Sequence, residues 1–446
     1  MRLVYTSALF FILFTKGLMM EKSSASASGL LVAMACLAMP LKAESLDVKY
    51  SGSVRMRYET LNNPIFPTSE DMREKTNERL STRIRLKGEA VYQNWKAVAE
   101  IEDSRVYLDD NDPTLKSAQV NTLEPVQFYI TYKGINEYLD SVTVGRVTLD
   151  HGSRRLMGRT RFRNATNSFE GALVDGHWSG WNVRGFYLLP VSRFPFDAPS
   201  LDDNQRAFDK SFSNQKFFGI YAESQDDAWK IHSYWLKESD SEGLATKNRD
   251  LFTLSVDYSK TIFKDWKYNI EAIGQTGQAR QSASASDLDD KDVSAWMVHS
   301  HIGKQISAST FLRAEIDAAS GDNNADDATI RGFDSLYGLR RFDFGPTDVY
   351  QAFPRSNILA PGLRGVTKLG GAHTIMVGYK GLWLHKVSEG EDDFLGHQVE
   401  FRWRYQAHKP LRVEIGGAYL TKGGALEAGA YPDDSMYAYT GLMYSF

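Results

Sequence analysis

From Leu46 to Glu59 the chain alternates without a break. Leu46, Val48, Tyr50, Gly52, Val54, Met56 and Tyr58 take the even positions, while Lys49, Ser51, Ser53, Arg55, Arg57 and Glu59 take odd ones. A period of two belongs to an extended strand, whose successive side chains point to opposite faces. The next segment repeats it, with Leu80, Thr82, Ile84, Leu86, Ala90 and Tyr92 against Arg79, Ser81, Arg83, Arg85, Lys87 and Glu89. One face suits lipid and the other water. Beyond the N-terminal region no run of about 18 apolar residues occurs, which excludes a bundle of membrane-crossing helices. Strands that face lipid cannot leave an open edge there, so the sheet must close on itself.

Further strand-length segments fall at 95–103, 124–133, 141–148, 168–175, 180–190, 216–223, 228–237, 249–259, 265–275, 293–302, 308–318, 355–368, 373–386, 397–406, 411–421 and 437–446. Short connections such as 93–94 and 369–372 alternate with long ones such as 149–167 and 319–354. The fold expected is therefore all-β: a single transmembrane antiparallel β-barrel of about 18 strands, within a range of 16–18, with short periplasmic turns and long extracellular loops. The count rests on reading 319–354 as one loop.

Residues 21–43 hold a polar start with Lys22, an apolar stretch from Gly29 to Met39, Pro40 and a small residue at Ala43. That order is expected of a secretory signal, with cleavage after Ala43. The chain then divides into a signal region, 1–43, and a barrel, 44–446. Met19 and Met20 separate this stretch from an earlier apolar one, Ala8 to Phe14, and suggest a start later than Met1. Sec-type export to the outer membrane of a Gram-negative cell follows, with lipid and lipopolysaccharide as surroundings. The only cysteine, Cys36, lies in the segment to be removed, so neither a disulfide nor a cysteine metal site is expected. Ala33 stands where a lipidation motif around Cys36 usually has leucine.

The last segment, YAYTGLMYSF, ends on Phe446 with Tyr444 and Leu442 on the same face. Such an ending resembles the signal read by barrel-assembly machinery, which makes that machinery an expected partner. Tyr58, Tyr92, Trp95, Trp181, Trp229, Trp266 and Tyr405 lie near segment ends, as interfacial girdles require. A soluble β-sandwich would also alternate, but it explains neither the signal nor so many strands in one domain. A monomer is expected. The formal net charge of -4 argues against nucleic acid as a partner.

Acidic residues gather in the connections, for example Asp287–Asp290 and Glu391–Asp393, whereas Arg55, Arg57, Arg83, Arg85, Lys87, Arg184, Arg402 and Arg404 recur on the water-facing side of strands. The densest basic cluster, Arg154, Arg155, Arg159, Arg161 and Arg163, follows Arg146 inside a long loop. Two readings stay open for it. Charge runs are commonly solvated surface. Alternatively the loop folds into the barrel, where guanidinium groups line a constriction and bind carboxylates bidentately. Glu59, Glu89, Glu100, Glu170 and Glu400 are then expected to pair with some of the arginines, which would otherwise be too crowded.

The stretch VTVGRVTLDHGSRRLMGRTRFRNATNSFEGALV resembles the alginate-export family of outer-membrane proteins. The matching elements are Gly145-Arg146, Gly152 to Gly158, Arg163-Asn164 and Ser168-Phe169-Glu170-Gly171, and SNILAPGLR, Ser356 to Arg364, is similar to the pattern of a late strand. Val147 stands where glutamine is common, and Glu170 where aspartate is. The resemblance implies an 18-stranded barrel with an arginine-rich constriction that passes a polyanionic polysaccharide such as alginate out of the periplasm.

A hydrolase on a barrel is the rival class. It needs a nucleophile with a base in reach, and no HExxH, GxSxG or phosphate-binding glycine loop is present. His299 and His301 share a strand face and His151 adjoins the arginine cluster, a weak hint of metal binding. Glu391, Asp392 and Asp393 lack the spacing of a known calcium loop. The expectation is a passive anion channel without enzyme activity, cofactor or metal. The alternative is an uptake porin for small anionic or aromatic nutrients.

Overall fold

The protein is described by a computed structural model at residues 46–65, 76–108, 115–324, 326–345, 353–427 and 432–446. The signal segment, its cleavage after Ala43, the alternative starts and Cys36 lie outside the described residues. The chain runs through β1 (Leu46–Asn62), β2 (Thr76–Tyr92), β3 (Trp95–Tyr107), β4 (Asn121–Lys133), β5 (Leu139–Val147), β6 (Phe169–Trp178), β7 (Trp181–Ser192), β8 (Lys210–Ser211), β9 (Gln215–Ser224) and β10 (Trp229–Glu238). It continues with β11 (Asp250–Ile262), β12 (Trp266–Ala279), β13 (Lys291–Gln305), β14 (Thr310–Ala319), β15 (Thr329–Ile330), β16 (Ile358–Leu369), β17 (His373–Trp383), β18 (Phe394–His408), β19 (Leu411–Lys422) and β20 (Ser435–Ser445). Among the described residues three short helices, α1 (Ala198–Asp202), α2 (Arg341–Phe344) and α3 (Gly424–Glu427), lie in loops.

β8 and β15 are two-residue strands outside the wall, so 20 less 2 leaves 18 wall strands. Each wall strand pairs antiparallel with the next, and β1 pairs with β20 to close the ring. The closing register sets Val54 opposite Tyr444 and Met56 opposite Leu442. Gly52 and Phe446 exchange backbone bonds of 2.8 and 3.0 Å at the end of this seam. Closure satisfies every edge, the condition lipid imposes on a sheet.

The wall is apolar outside and polar inside. On β16, Leu363 is 61% exposed while its neighbour Arg364 is turned inward; on β2, Ile84 is 40% exposed and Arg83 only 3%. Residues whose exposed faces are large and apolar recur at alternate positions around the ring, which matches a lipid-facing band. At the short-turn rim Trp95 packs on Tyr132 at 4.8 Å, and Trp229 on Tyr258 at 4.4 Å. These pairs fit an aromatic girdle.

All eighteen expected segments correspond to wall strands, with short turns and long loops in strict alternation. Several strands run further than the alternation suggests. β3 extends to Tyr107 rather than residue 103, and β13 covers Lys291–Gln305 rather than 293–302. Hairpins above the lipid keep their ladder hydrogen bonds but no longer need an apolar face, so hydropathy stops marking them before the backbone stops pairing. β15, hidden in the long connection 319–354, pairs parallel to β13 through Asp292–Thr329 and Val293–Ile330.

Candidate constriction inside the barrel

The connection 148–168, between β5 and β6, enters the lumen rather than water. Its sequence explains why: Leu156 and Met157 sit in the middle of an otherwise charged loop, and both are fully buried. The backbone folds back on itself, with His151 N bonded to Met157 O at 3.2 Å and Arg154 N to His151 O at 2.8 Å. Arg154 takes a left-handed φ of 64° in that turn. Asp150 ties the loop further, accepting from Arg159 N at 2.7 Å and from the Arg161 side chain at 3.0 Å. Leu156 and Met157 join one buried cluster with Phe169, Phe217, Tyr234 and Leu236, so this edge of the loop is seated on the wall around β6–β10 by apolar contact. His151 Nδ1 and the Tyr234 hydroxyl share a hydrogen bond of 2.6 Å, and the imidazole stacks on Tyr221 at 4.7 Å.

The far edge is held differently. Arg55 reaches Arg161 O at 2.9 Å, Phe162 O at 3.1 Å and Asn164 Oδ1 at 2.7 Å. Arg57 donates to Phe162 O at 2.5 Å, and Arg83 to Arg163 O at 3.0 Å. Arg85 pairs with Glu102 at 2.6 Å and also donates to the Thr166 hydroxyl. Glu102 itself accepts from Thr166 N at 2.8 Å. Arg159 pairs with Glu100 at 2.5 Å. Strands β1 and β2 thus present a row of guanidinium groups to the carbonyls of residues 160–164, while β3 supplies the carboxylates Glu100 and Glu102.

A second connection, between β14 and β16, meets the first within the lumen. Tyr337 N bonds to Leu156 O at 3.0 Å, Gly158 N to Tyr337 O at 3.2 Å, and Leu339 N to Arg154 O at 2.9 Å. This short parallel pairing needs glycine on both sides: a Cβ on Gly338 would collide with the Arg155 carbonyl, and one on Gly158 would stand 2.7 Å from Leu339 Cγ. Asp343, on α2, receives Arg155 Nη2 at 2.9 Å and Arg355 Nη2 at 2.5 Å. Burial pushes the Asp343 carboxyl up, but the Arg155 charge outweighs it and holds the group well below the usual carboxylate range. Arg155 also reaches Glu271 on β12 at 2.8 Å. Phe162 lies between two guanidinium groups, Arg57 at 4.2 Å and Arg341 at 4.6 Å. The two loops form one plate.

β12 is eight strand pairings from β1 one way round the ring and ten the other. A loop that bonds to Glu271 on β12 and to Arg55 on β1 therefore crosses the lumen, and it does so with its basic residues.

The remaining residues singled out in the sequence are dispersed. Arg146 pairs with Glu170 at 2.6 Å and with Glu124, in a separate sector of the wall. Glu59 pairs with Arg57 at 3.0 Å. Glu400 pairs with Arg341, a loop arginine, while Arg404 on the same strand pairs with Glu414. Arg402 is half-buried beside them and makes no ion pair among the described residues. Arg154 lies over the Phe342 ring at 4.9 Å. His299 bonds to Asp317 at 2.7 Å and to His301 at 3.1 Å. Among the described residues His299, Asp317 and Asp343 are the group whose atoms are close enough to hold a metal. Their carboxylates are already matched by Lys380, Arg155 and Arg355, so the donor set suits internal ion pairs better than a cation.

Asp343, Arg341, Arg355 and Glu271 escaped sequence reasoning. The run LRRFDF, residues 339–344, mixes charge and aromatics inside a long loop much as residues 154–163 do, and that likeness was the available signal.

An eighteen-stranded barrel with a lipid-facing exterior and loops folded into its lumen is a channel-type protein of the bacterial outer membrane. The particular family is shown by sequence: the alginate export model matches residues 47–437, and the chain belongs to that family. No curated protein matches the chain. Solved structures with the same fold include Pseudomonas aeruginosa OccK9 (OpdG), with a TM-score of 0.59 at 12% identity over 90% of this chain and 98% of that one. A BenF-like porin from Pseudomonas fluorescens Pf-5 superposes with a TM-score of 0.58 at 11% identity, again over 90% and 98%. P. aeruginosa OpdK with vanillate gives 0.56 at 11% identity, over 89% and 98%.

Proposed function

We propose that this outer-membrane channel passively conducts an anionic solute past the arginine row, with an acidic polysaccharide such as alginate as the first candidate. The observation that carries the reading is the charge of the constriction. Arg55 and Arg83 are buried there and bond to neutral carbonyl or amide oxygens, with no carboxylate partner among the described residues. An uncompensated guanidinium in a confined lumen attracts anions and repels cations, and several weak sites in series let the solute leave as readily as it enters. The work is recognition and passage, with no chemical step and no cofactor. Sec-type export, assembly through Phe446 and a monomeric working state belong to the same proposal.

A second reading has an observation of its own. The plate crosses the lumen from β12 to β1, which suits a small carboxylate better than a polymer; the vanillate in the OpdK structure is such a molecule. Both readings require anion preference.

Charge reversal at the plate tests this. In planar bilayers under a salt gradient, the wild type is expected to give a reversal potential of anion preference, and R159E/R161E to lose or invert it. A cation-selective wild type would sink the proposal. Unchanged selectivity in the variant would remove the loop from the pathway.

A further inference from the structure

The two edges of the plate are fastened by different physics. Toward β6–β10 the attachment is apolar and aromatic, through Leu156, Met157 and Tyr337, with Tyr337 edge-on to Phe169 at 4.9 Å and to Phe217 at 5.2 Å. No dissolved ion competes for such contacts. Toward β1–β2 the attachment is mainly guanidinium to carbonyl, from Arg55 to Arg161 O, Phe162 O and Asn164 Oδ1, from Arg57 to Phe162 O and from Arg83 to Arg163 O, with Asn164 Nδ2 adding bonds to Thr82 O at 2.9 Å and Arg105 O at 3.0 Å. A neutral carbonyl is a weaker partner for a guanidinium than a carboxylate, which adds an opposite charge and a bidentate match to the planar fork. Arg55 and Arg83 are also incompletely satisfied, since Nε of each is buried without an acceptor. A carboxylate could take both edges of the planar fork, which the carbonyls leave half used.

We infer that backbone carbonyls 161–164 occupy a carboxylate-binding site formed by Arg55 and Arg83, and that an anionic solute opens the channel by displacing them. The plate then lifts from β1–β2 while Leu156, Met157 and the Arg155–Glu271 pair keep it seated on the opposite side. Closure in the absence of solute and selection for carboxylates become one device. A neutral sugar leaves the plate in place because it offers the arginines nothing better than a carbonyl. This inference rests on the anion-channel reading above, and adds to it a closed state that the solute itself releases.

The test uses the full-length channel in planar bilayers, with glucuronate as the carboxylate probe and glucose as its uncharged counterpart. Glucuronate is expected to raise the open probability of the wild type by roughly five-fold or more, the lower end of ordinary coupling between ligand and conformation. Glucose is expected to change nothing. R55Q/R83Q is expected to be open without solute and indifferent to glucuronate. Should that variant fail to assemble, N164A serves in its place. It removes the Oδ1 acceptor of Arg55 together with the bonds that Nδ2 donates to Thr82 O and Arg105 O, and keeps both arginines, so it should open at a lower glucuronate concentration than the wild type while glucose still leaves it shut. The inference is overturned if glucuronate leaves wild-type opening unchanged or only blocks it, if R55Q/R83Q still responds to glucuronate, or if N164A needs as much glucuronate as the wild type. Reversal potentials recorded in the same membranes separate the two claims. An anion-selective channel without activation defeats the gate alone, whereas a cation-selective channel defeats both.

Discussion

Asp343→Ala is expected to raise single-channel conductance and current noise, and to lower the temperature at which the barrel loses its compact gel mobility. Asp343 is 1% exposed and receives Arg155 and Arg355 together, each from a different part of the lumen filling. Removing one partner of a buried ion pair typically costs about 3–5 kcal/mol, because the charge left behind has lost its neighbour and cannot reach water. Here two guanidinium groups are left. Arg155 keeps Glu271, at 2.8 Å, but among the described residues Arg355 retains only backbone acceptors, Arg155 O at 3.1 Å and Leu339 O at 2.7 Å. The loss therefore falls on the joint between the loops and not on the wall, whose eighteen strands are paired without it. Conductance measured beside thermal stability distinguishes the outcomes: a variant that is less stable but conducts as the wild type does would show that Asp343 does not hold the plate across the path.

The second large effect concerns the exterior. Leu363→Arg is expected to destabilise the assembled barrel by about 2–4 kcal/mol, the range for a basic residue near the bilayer midplane on the lipid face of a barrel. Leu363 lies in the middle of β16, pairs across to Ala314 and Tyr379, and is 61% exposed. Its neighbour Arg364 points the other way and bonds to Glu315 at 2.8 Å. The test is urea unfolding in lipid vesicles, with Leu363→Ala as the control for lost volume. A cost no larger than that of alanine would mean that this face does not meet lipid.

The wall was legible because a barrel obeys one rule throughout. Every strand between Leu46 and Phe446 must alternate, so the number of strands, the closing strand and the rhythm of turns could be read from side-chain type alone. Strand ends above the lipid could not, since nothing there requires an apolar face. The interior was legible only in part. Clustered arginines between Arg154 and Arg163 marked the inward loop, but their density says nothing of their partners. Arg155 is bound to Asp343, 188 positions away, and Arg55 to carbonyls more than a hundred positions away. Contacts of that kind are set by which loops meet in the lumen, and one sequence carries no periodic trace of them. Leu156 and Met157 were the missed clue. Two large apolar residues amid six charged ones make a poor solvated loop and a good anchor.

Passage of solute is the central claim, and flux through the purified channel in liposomes measures it directly. Glucuronate, glucose and glucosamine are close in size and differ in charge. Glucuronate is predicted to enter fastest, glucose more slowly and protonated glucosamine slowest, with that order weakened in R159E/R161E. Equal rates for all three, or glucosamine ahead of glucuronate, would contradict the account.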